Sequence, residues 1–219
     1  MGVAGKALSR ERIVEAAIGI ADAEGLDAVS MRRVAGRLGS GTMSLYRHVF
    51  DKEELLREML DTLHARYSYP GADGLDWRER MRLLALHDWR MYTAHPWLLT
   101  ATATLAPPAG PHMLAAMEWA LDALAPLGLT PRQGGRAVMA LTHYLQGSAR
   151  IALGGSEADD PGEAWRRRLG GDDLSAYPRV AALVGSSPDD AEISDEQWVL
   201  PGLEMILDGI AAQATNSTA

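Results

Sequence analysis

The chain of 219 residues contains no cysteine, which excludes disulfide bonds and thiolate metal sites. No segment approaches the roughly 18 consecutive apolar residues that a membrane span requires, and the first residues form no long apolar run. The sequence therefore predicts a cytoplasmic protein without a membrane partner. Alternating β-type patterns, internal repeats and low-complexity runs are also absent from the sequence, so an all-α fold is expected.

The short motifs of common enzymes are missing as well. The sequence has no Gly-x-Ser-x-Gly elbow, no Gly-x-x-x-x-Gly-Lys loop, no dinucleotide fingerprint and no His-Glu-x-x-His pair. His87, His95, His112 and His143 lie on several predicted helices and do not pair at a spacing of four residues, so they are expected to be ordinary polar or core residues rather than metal ligands. The sequence predicts no catalytic residue, no metal site and no cofactor.

The acidic net charge of −8 is distributed unevenly along the chain. Residues 1–67 carry 10 Lys and Arg against 10 Asp and Glu, whereas residues 68–219 carry 11 against 19. Charges more than a Debye length away, about 8 Å at physiological salt, are largely screened. The acidic excess therefore does not argue against nucleic-acid binding by the first 67 residues.

Residues 30–52 show the pattern of two short helices around a glycine turn, the plan of a helix-turn-helix. Ser30 is the expected N-cap of the first helix, and Gly39 is expected just past its end. At about 100° per residue, placing Leu45 toward the core turns Met43 and Arg47 outward. Arginine can form two hydrogen bonds with guanine and methionine can contact a thymine methyl, so these two residues are the predicted base readers.

The other candidate DNA-binding residues are expected to border the groove or to contact phosphates, which fix register without reading sequence. They are Ser30, Arg32, Arg33, Thr42, Ser44, Tyr46, His48 and Lys52. Taken alone, the pattern is equally consistent with an ordinary amphipathic helix pair that has a solvated arginine face.

From residue 8 to residue 67 the chain resembles the DNA-binding domain of the TetR family of bacterial repressors. The resemblance is carried by residues 13–17, Gly25, residues 30–34, Leu38-Gly39, the run Leu45-Tyr46-Arg47-His48-Val49 and residues 51–56. It implies three N-terminal helices, the third of which reads DNA, followed by a helical domain for ligand binding and dimerisation. Ser40 departs from the family pattern, which usually has an apolar residue in this turn.

The chain is expected to divide after residue 67, because residues 68–76 are rich in turn-forming residues. Residues 1–67 form the predicted helix-turn-helix domain with a connector helix, and residues 68–219 the predicted effector-binding and dimerisation domain. The predicted helices cover residues 9–24, 51–67, 77–95, 97–105, 112–127, 131–153 and 196–214. Residues 154–195 are expected to be mostly loop, with short helices near 163–169 and 177–184.

The second domain is rich in methionine and tryptophan, which suit a concave apolar site that accepts varied ligands. Asp88 is the most informative candidate, because it interrupts an apolar helical stripe and a buried carboxylate needs a partner. The candidate ligand-binding residues are Asp88, Trp89, Tyr92, Trp97, Met113, Met117, Thr142, His143 and Gln146. Packing in the core is the open alternative for each methionine and tryptophan.

Apolar residues recur in the last predicted helix at spacings of 4, 3, 4 and 4, at Val199, Leu203, Ile206, Ile210 and Ala214. This stripe, with one face of helix 131–153, is the predicted dimer interface, and packing within the chain is the alternative. The whole pattern predicts a homodimeric repressor that binds a palindromic double-stranded operator and is released by a small, largely apolar effector. An effector-independent DNA-binding protein and an enzyme fused to a helix-turn-helix remain as alternatives.

Overall fold

The computed structural model describes residues 7–71, 74–104, 110–154, 168–185 and 195–217, whose regular structure is entirely helical. The helices described are α1 (Arg10–Glu24), α2 (Met31–Arg37), α3 (Thr42–Leu45), α4 (Lys52–Arg66), α5 (Trp77–Ala94), α6 (Leu98–Thr104), α7 (Pro111–Leu124), α8 (Pro131–Gly154), α9 (Pro178–Gly185) and α10 (Asp195–Ser217). Short 3-10 turns follow α1 and α7. The all-α prediction is confirmed. In the described part of the chain, no helix is both long and apolar enough to cross a bilayer.

Polar caps set the starts of the N-terminal helices. The hydroxyl groups of Ser9 and Ser30 accept hydrogen bonds from the third residue beyond them, and the Asp51 carboxylate accepts one from Glu54 N at 2.7 Å. A side-chain acceptor at this position satisfies one of the free N–H groups of the first turn. Gly39 follows α2 with a φ of 62°, a left-handed conformation that glycine adopts without strain.

Helices α1, α2, α3 and α4 enclose a small core made of aliphatic side chains. Its members include Ile13, Ala17, Val34, Leu45 and Leu55, all at most 2% exposed. Burial of such side chains removes apolar surface from water at about 25 cal/mol per Å². The N-terminal helices are therefore held by packing, and their polar residues are left on the outside.

Helix α5 lies at the centre of the second part of the chain, in contact with α7, α8 and α10. It starts with a capping box in which Asp76 and Glu79 exchange side-chain and backbone hydrogen bonds. Arg80 is buried on this helix, with its guanidinium 4.5 Å from the centre of the Trp119 ring and bonded to Asp122 at 2.9 Å.

Most helix bounds differ from the predicted ones by one or two residues. The largest differences, three residues each, are at the ends of α10, which extends to Ser217, and of α7. Helix α7 ends as an α-helix at Leu124 and continues as a 3-10 turn, Ala125–Leu127, because Pro126 removes a backbone donor. Helix α9 (Pro178–Gly185) matches the short helix predicted near 177–184. Most of the other predicted short helix, 163–169, lies outside the described residues.

Contacts between α1 or α4 and the second part of the chain join the two regions. Asp22 of α1 accepts a hydrogen bond from the indole N–H of Trp97 at 2.7 Å and lies 2.7 Å from His95 Nδ1. Helix α4 packs against both α1 and α7. The connector helix is therefore in contact with the helices on either side of the expected boundary.

Candidate functional site

Helix α3 separates its side chains into a buried and an exposed face. Leu45 and Val49 are buried, whereas Met43 is 78% exposed and Arg47 is also exposed. The α-helical part is short, and the chain continues to Val49 as a tight turn in which the His48 and Val49 amides both donate to Leu45 O. Met43 and Arg47 therefore point outward, as the placement at about 100° per residue predicted. Contact of these two side chains with DNA bases remains a prediction.

The other candidate DNA-binding residues vary in exposure. Arg32, Arg33, Tyr46 and Lys52 are exposed, and Thr42, Ser44 and His48 are half-buried. Arg33 is ion-paired with Glu24 of α1. The Ser30 hydroxyl accepts a hydrogen bond as the cap of α2, so only its O–H remains available to a phosphate.

Two residues next to this face were missed by the sequence reasoning. Phe50 is 81% exposed directly beside the predicted readers, and its backbone N–H donates to the Glu54 carboxylate. Arg10 of α1 donates to His48 O at 3.0 Å and pairs with Glu54 and Glu58 of α4. Arg10 therefore fixes the turn after α3. Its partners are 38 to 48 residues away, so no local pattern could have identified it.

A second polar cluster surrounds Asp88 in the centre of the C-terminal helices. Asp88 is only 9% exposed, and its Oδ1 atom accepts a hydrogen bond from the Tyr69 hydroxyl at 2.9 Å. Burial raises the pKa of Asp88 to about 7, although the hydrogen bond from Tyr69 acts in the opposite direction. A buried carboxyl group with a raised pKa is typical of functional sites, so Asp88 is a candidate ligand contact.

Aromatic residues enclose this cluster. Tyr69 packs on Trp119 with ring centroids 4.6 Å apart, and the Trp119 indole donates to Pro70 O. The Tyr92 hydroxyl accepts a hydrogen bond from Gln146 Nε2 at 3.2 Å. Burial, and then the nearby Asp88 charge, raises the pKa of Tyr92. The structure therefore brings together three predicted ligand residues, Asp88, Tyr92 and Gln146, and adds Tyr69 and Trp119.

The remaining predicted ligand residues do not join this cluster. Trp89 is a core residue with 1% exposure, and Trp97 is used in the contact with Asp22, so neither is a free aromatic wall. Met113 and Thr142 are half-buried. Met117 and His143 line a separate open hollow of about 530 Å³ between α7 and α8.

The predicted dimer stripe is corrected in part. Val199 and Leu203 are fully buried by packing within their own chain and so cannot face a partner, whereas Ile210 is 4% exposed and lines the open groove described below. Tyr144 of α8 reaches α10 and donates to Val199 O at 2.9 Å. Ile206 and Ala214 are half-buried and retain some exposed surface.

An open groove runs between α8 and α10, with a volume of about 680 Å³. It is lined by Gln133, Arg136, Ala137, Ala140, Ile206, Gly209, Ile210 and Gln213. The small residues Ala140 and Gly209 leave room for another helix to approach closely. This groove is the part of the predicted interface that the chain itself leaves open.

Two family models together match most of the chain. Residues 13–59 match "Bacterial regulatory proteins, tetR family", and residues 69–214 match "Tetracyclin repressor-like, C-terminal domain". The HTH-type transcriptional repressor DrrR1 of Streptomyces coeruleorubidus is 37% identical over 211 residues, which cover 93% of this chain and 77% of that protein.

Solved structures agree with this result. The ligand-free structure of ActR from Streptomyces coelicolor has a TM-score of 0.81 at 29% identity, covering 99% of this chain and all of that one. ActR in complex with actinorhodin has a TM-score of 0.79 at 28% identity, covering 95% of this chain and 99% of that one. The chain belongs to the TetR family and is a DNA-binding transcriptional regulator.

Proposed function

We propose that the protein is a homodimeric repressor that binds a palindromic operator and is released from it by a small-molecule effector. Residues 1–67 form the operator-binding domain and residues 68–219 the effector-binding and dimerisation domain. The observation that carries the proposal is the exposed pair Met43, on α3, and Arg47, in the turn that follows it, opposite the buried Leu45 and Val49. The protein acts in the cytoplasm, requires no cofactor and is not an enzyme, in keeping with its regulatory relatives.

The dimer is proposed to form through the groove between α8 and α10. Its lining combines apolar Ile206 with small Ala140 and Gly209, which suits close helix packing across a two-fold axis. Two copies related in this way present two α3 helices to successive turns of one side of the DNA. The operator is therefore expected to be symmetric, with half-sites one helical turn or somewhat more apart.

The effector is proposed to bind beside Asp88. Tyr69, Tyr92 and Trp119 offer aromatic surfaces, and Asp88 offers a carboxyl group to a cationic or hydrogen-bond-donating group. A flat, largely apolar molecule with one such polar group fits this chemistry. The structure of ActR with actinorhodin supports the idea that a relative with this fold binds a small molecule.

Selection of bound duplexes from a random DNA pool by the purified protein tests the DNA-binding part of the proposal. We expect a two-fold symmetric motif and a complex that contains two chains, as measured by native mass spectrometry. Gly209→Glu places a charge in the groove and should give a monomer that binds the selected duplex weakly. Ala212→Glu, on the same helix but outside the groove lining, is the matched control. Selection of no motif would show that the proposed function is wrong.

A further inference from the structure

Tyr69 makes two side-chain contacts at the centre of the Asp88 cluster. Its hydroxyl donates a hydrogen bond to Asp88 Oδ1 at 2.9 Å, and its ring centroid lies 4.6 Å from that of Trp119, with the two rings tilted by 33°. Burial, and then the nearby Asp88 charge, raises the pKa of Tyr69, so the phenol keeps its proton and is the donor in this bond. Tyr69 therefore supplies a donor to the carboxyl group and an aromatic ring to the indole.

These two contacts use the groups that the proposed effector needs. The effector is proposed to bind the carboxyl group of Asp88 and to pack on aromatic surfaces that include Trp119. Among the residues that the structure describes, Tyr69 is the one hydrogen-bond partner of the Asp88 side chain. Because a buried carboxyl group without a partner is costly, a molecule that replaces Tyr69 must bring a donor of its own.

Tyr69 differs from its two partners in the way the chain holds it. Asp88 lies on α5 and Trp119 on α7, where helical hydrogen bonds fix the backbone, whereas Tyr69 lies in the connection between α4 and α5. Beside it, Pro70 O accepts a hydrogen bond from the Trp119 indole at 3.2 Å, and the His87 ring centroid is 5.9 Å from that of Tyr69. Residues in connections open at a lower free-energy cost than residues inside packed helices. Tyr69 is therefore the member of this group that can leave while Asp88 and Trp119 stay in place.

We propose that Tyr69 occupies the effector position in the free protein, and that an aromatic ligand carrying a hydroxyl group displaces it and takes over its contacts with Asp88 and Trp119. This proposal rests on the effector site proposed above and names the class of ligand. An aromatic hydrocarbon leaves the carboxyl group without a donor, and an aliphatic alcohol leaves the indole face without a ring. Occupation by Tyr69 lowers the affinity for a ligand, since the contacts of the tyrosine must break before the ligand can take its place.

The flat hydroxyaryl compound β-naphthol is the probe, and its affinity for the purified protein is measured by isothermal titration calorimetry. Tyr69→Phe keeps the ring but lacks the donor, so it should bind β-naphthol about fivefold more tightly than the wild type, the effect of one lost hydrogen bond. Tyr177→Phe makes the same change at an exposed position and should bind as the wild type does. Equal or weaker binding by Tyr69→Phe would show that Tyr69 is a wall of the site and would overturn the proposal.

The methyl ether of β-naphthol has the same rings but no O–H group, and it tests the assigned class of ligand. The wild type should bind the ether about tenfold more weakly than β-naphthol, because the ether leaves the buried Asp88 carboxyl group unpaired. Asp88→Leu removes the acceptor and keeps a side chain of similar size, so this variant should bind both compounds with similar affinity. A preference for β-naphthol that persists in Asp88→Leu, or an absence of β-naphthol binding to the wild type, would overturn the proposal.

Displacement of Tyr69 can be observed directly by fluorine NMR of protein that contains fluorotyrosine, with the Tyr69 signal identified by its absence from Tyr69→Phe. Saturation with β-naphthol should move this signal toward the chemical shift of the exposed Tyr177. A Tyr69 signal that is unchanged at saturation would overturn the proposal. Operator affinity separates this result from the proposed function. If β-naphthol displaces Tyr69 and operator binding is not weakened, release by an effector is wrong, whereas occupation of the site by Tyr69 is supported.

Discussion

The two regions of this chain bury different kinds of side chain. Among the described residues, the buried positions of α1 to α4 are all apolar, whereas the later helices also bury Arg80, Asp88 and Ser148 together with tryptophan and tyrosine. Buried polar groups are costly unless they are paired, and they are retained where they have a use. We therefore expect DNA binding to depend on the outer face of the first region, and ligand binding to depend on the interior of the second.

The two regions also differ in net charge. Residues 1–67 are electrically balanced, and the acidic excess falls in residues 68–219. Because the exposed arginines beside α3 are close to the proposed DNA surface, they dominate the local field over a distant acidic region. The comparison predicts that changes in the first region act on DNA binding or on its own fold, and that changes around Asp88 act on pH response and on ligands.

Leu45→Ala should have the largest effect. Leu45 is fully buried in the small N-terminal core, and truncation of such a leucine costs about 2–5 kcal/mol. We expect loss of operator binding and an early melting transition that leaves the C-terminal helices folded, measured by circular dichroism and calorimetry. Leu114→Ala, at an exposed position of α7, should change stability by less than about 0.5 kcal/mol. A single melting transition shared by both regions of Leu45→Ala would contradict the expectation that the N-terminal core unfolds separately.

Asp88→Asn should change the pH dependence of stability. The pKa of Asp88 in the folded chain is raised from 3.8 to about 7, so the folded state binds this proton more tightly than the unfolded state does. The wild type should therefore lose stability relative to Asp88→Asn as the pH rises from about 4 to 7, by an amount of order 2–4 kcal/mol.

Melting temperatures measured from about pH 4 to about pH 9 check the Asp88 prediction. The gap between wild type and variant should be small at pH 4 and constant only above about pH 9, roughly two units above the folded pKa, where the carboxyl group is almost fully ionised. Asp172→Asn, at an exposed position, is the control and should follow the wild type. Parallel curves for wild type and Asp88→Asn would show that Asp88 does not titrate in this range.

Arg47→Ala should weaken operator binding by about 1–3 kcal/mol and relax the preference at one base position in each half-site. The physical reason is the loss of a side chain able to form two hydrogen bonds with guanine from the exposed face of α3. Fluorescence anisotropy with the selected duplex and its single-base variants measures both effects. Unchanged affinity and preference would mean that another residue of α3 faces the bases.

Lys52→Ala should have the smallest effect, and one that does not depend on sequence. An exposed lysine at the start of α4 is suited to a phosphate contact. Its removal should weaken all duplexes alike and reduce the slope of log K against log salt by about one unit. Titrations at several salt concentrations separate this behaviour from that of Arg47→Ala, whose effect should depend on the base sequence.

Local signals in the sequence were sufficient for most of the helices. Ser9, Ser30 and Asp51 are polar caps that act within three residues, so the pattern alone located the starts of α1, α2 and α4. The alternation of buried Leu45 and Val49 with exposed Met43 and Arg47 is equally local. Short-range hydrogen bonding and helical periodicity determine these features.

Partners that lie far apart in the sequence could not be predicted. The apolar stripe of α10 was assigned to a dimer interface, but periodicity does not distinguish packing within a chain from packing between chains, and Val199 and Leu203 are buried internally. The same limit applies to the hydrogen bond from Tyr69 to Asp88. Each depends on tertiary packing that brings separate helices together.

We propose that the outer face of residues 1–67 binds DNA and that a ligand in the interior of residues 68–219 weakens this binding. Measurement of operator affinity in the presence of a bound ligand tests this most directly. Actinorhodin and a panel of flat aromatic amines can be screened for a thermal shift of the wild-type protein that Asp88→Asn reduces. For such a ligand, we expect saturation to weaken operator binding about 5- to 150-fold, as measured by anisotropy of a labelled duplex. Ligands that bind tightly beside Asp88 and leave operator affinity unchanged would contradict the account and favour an effector-independent regulator.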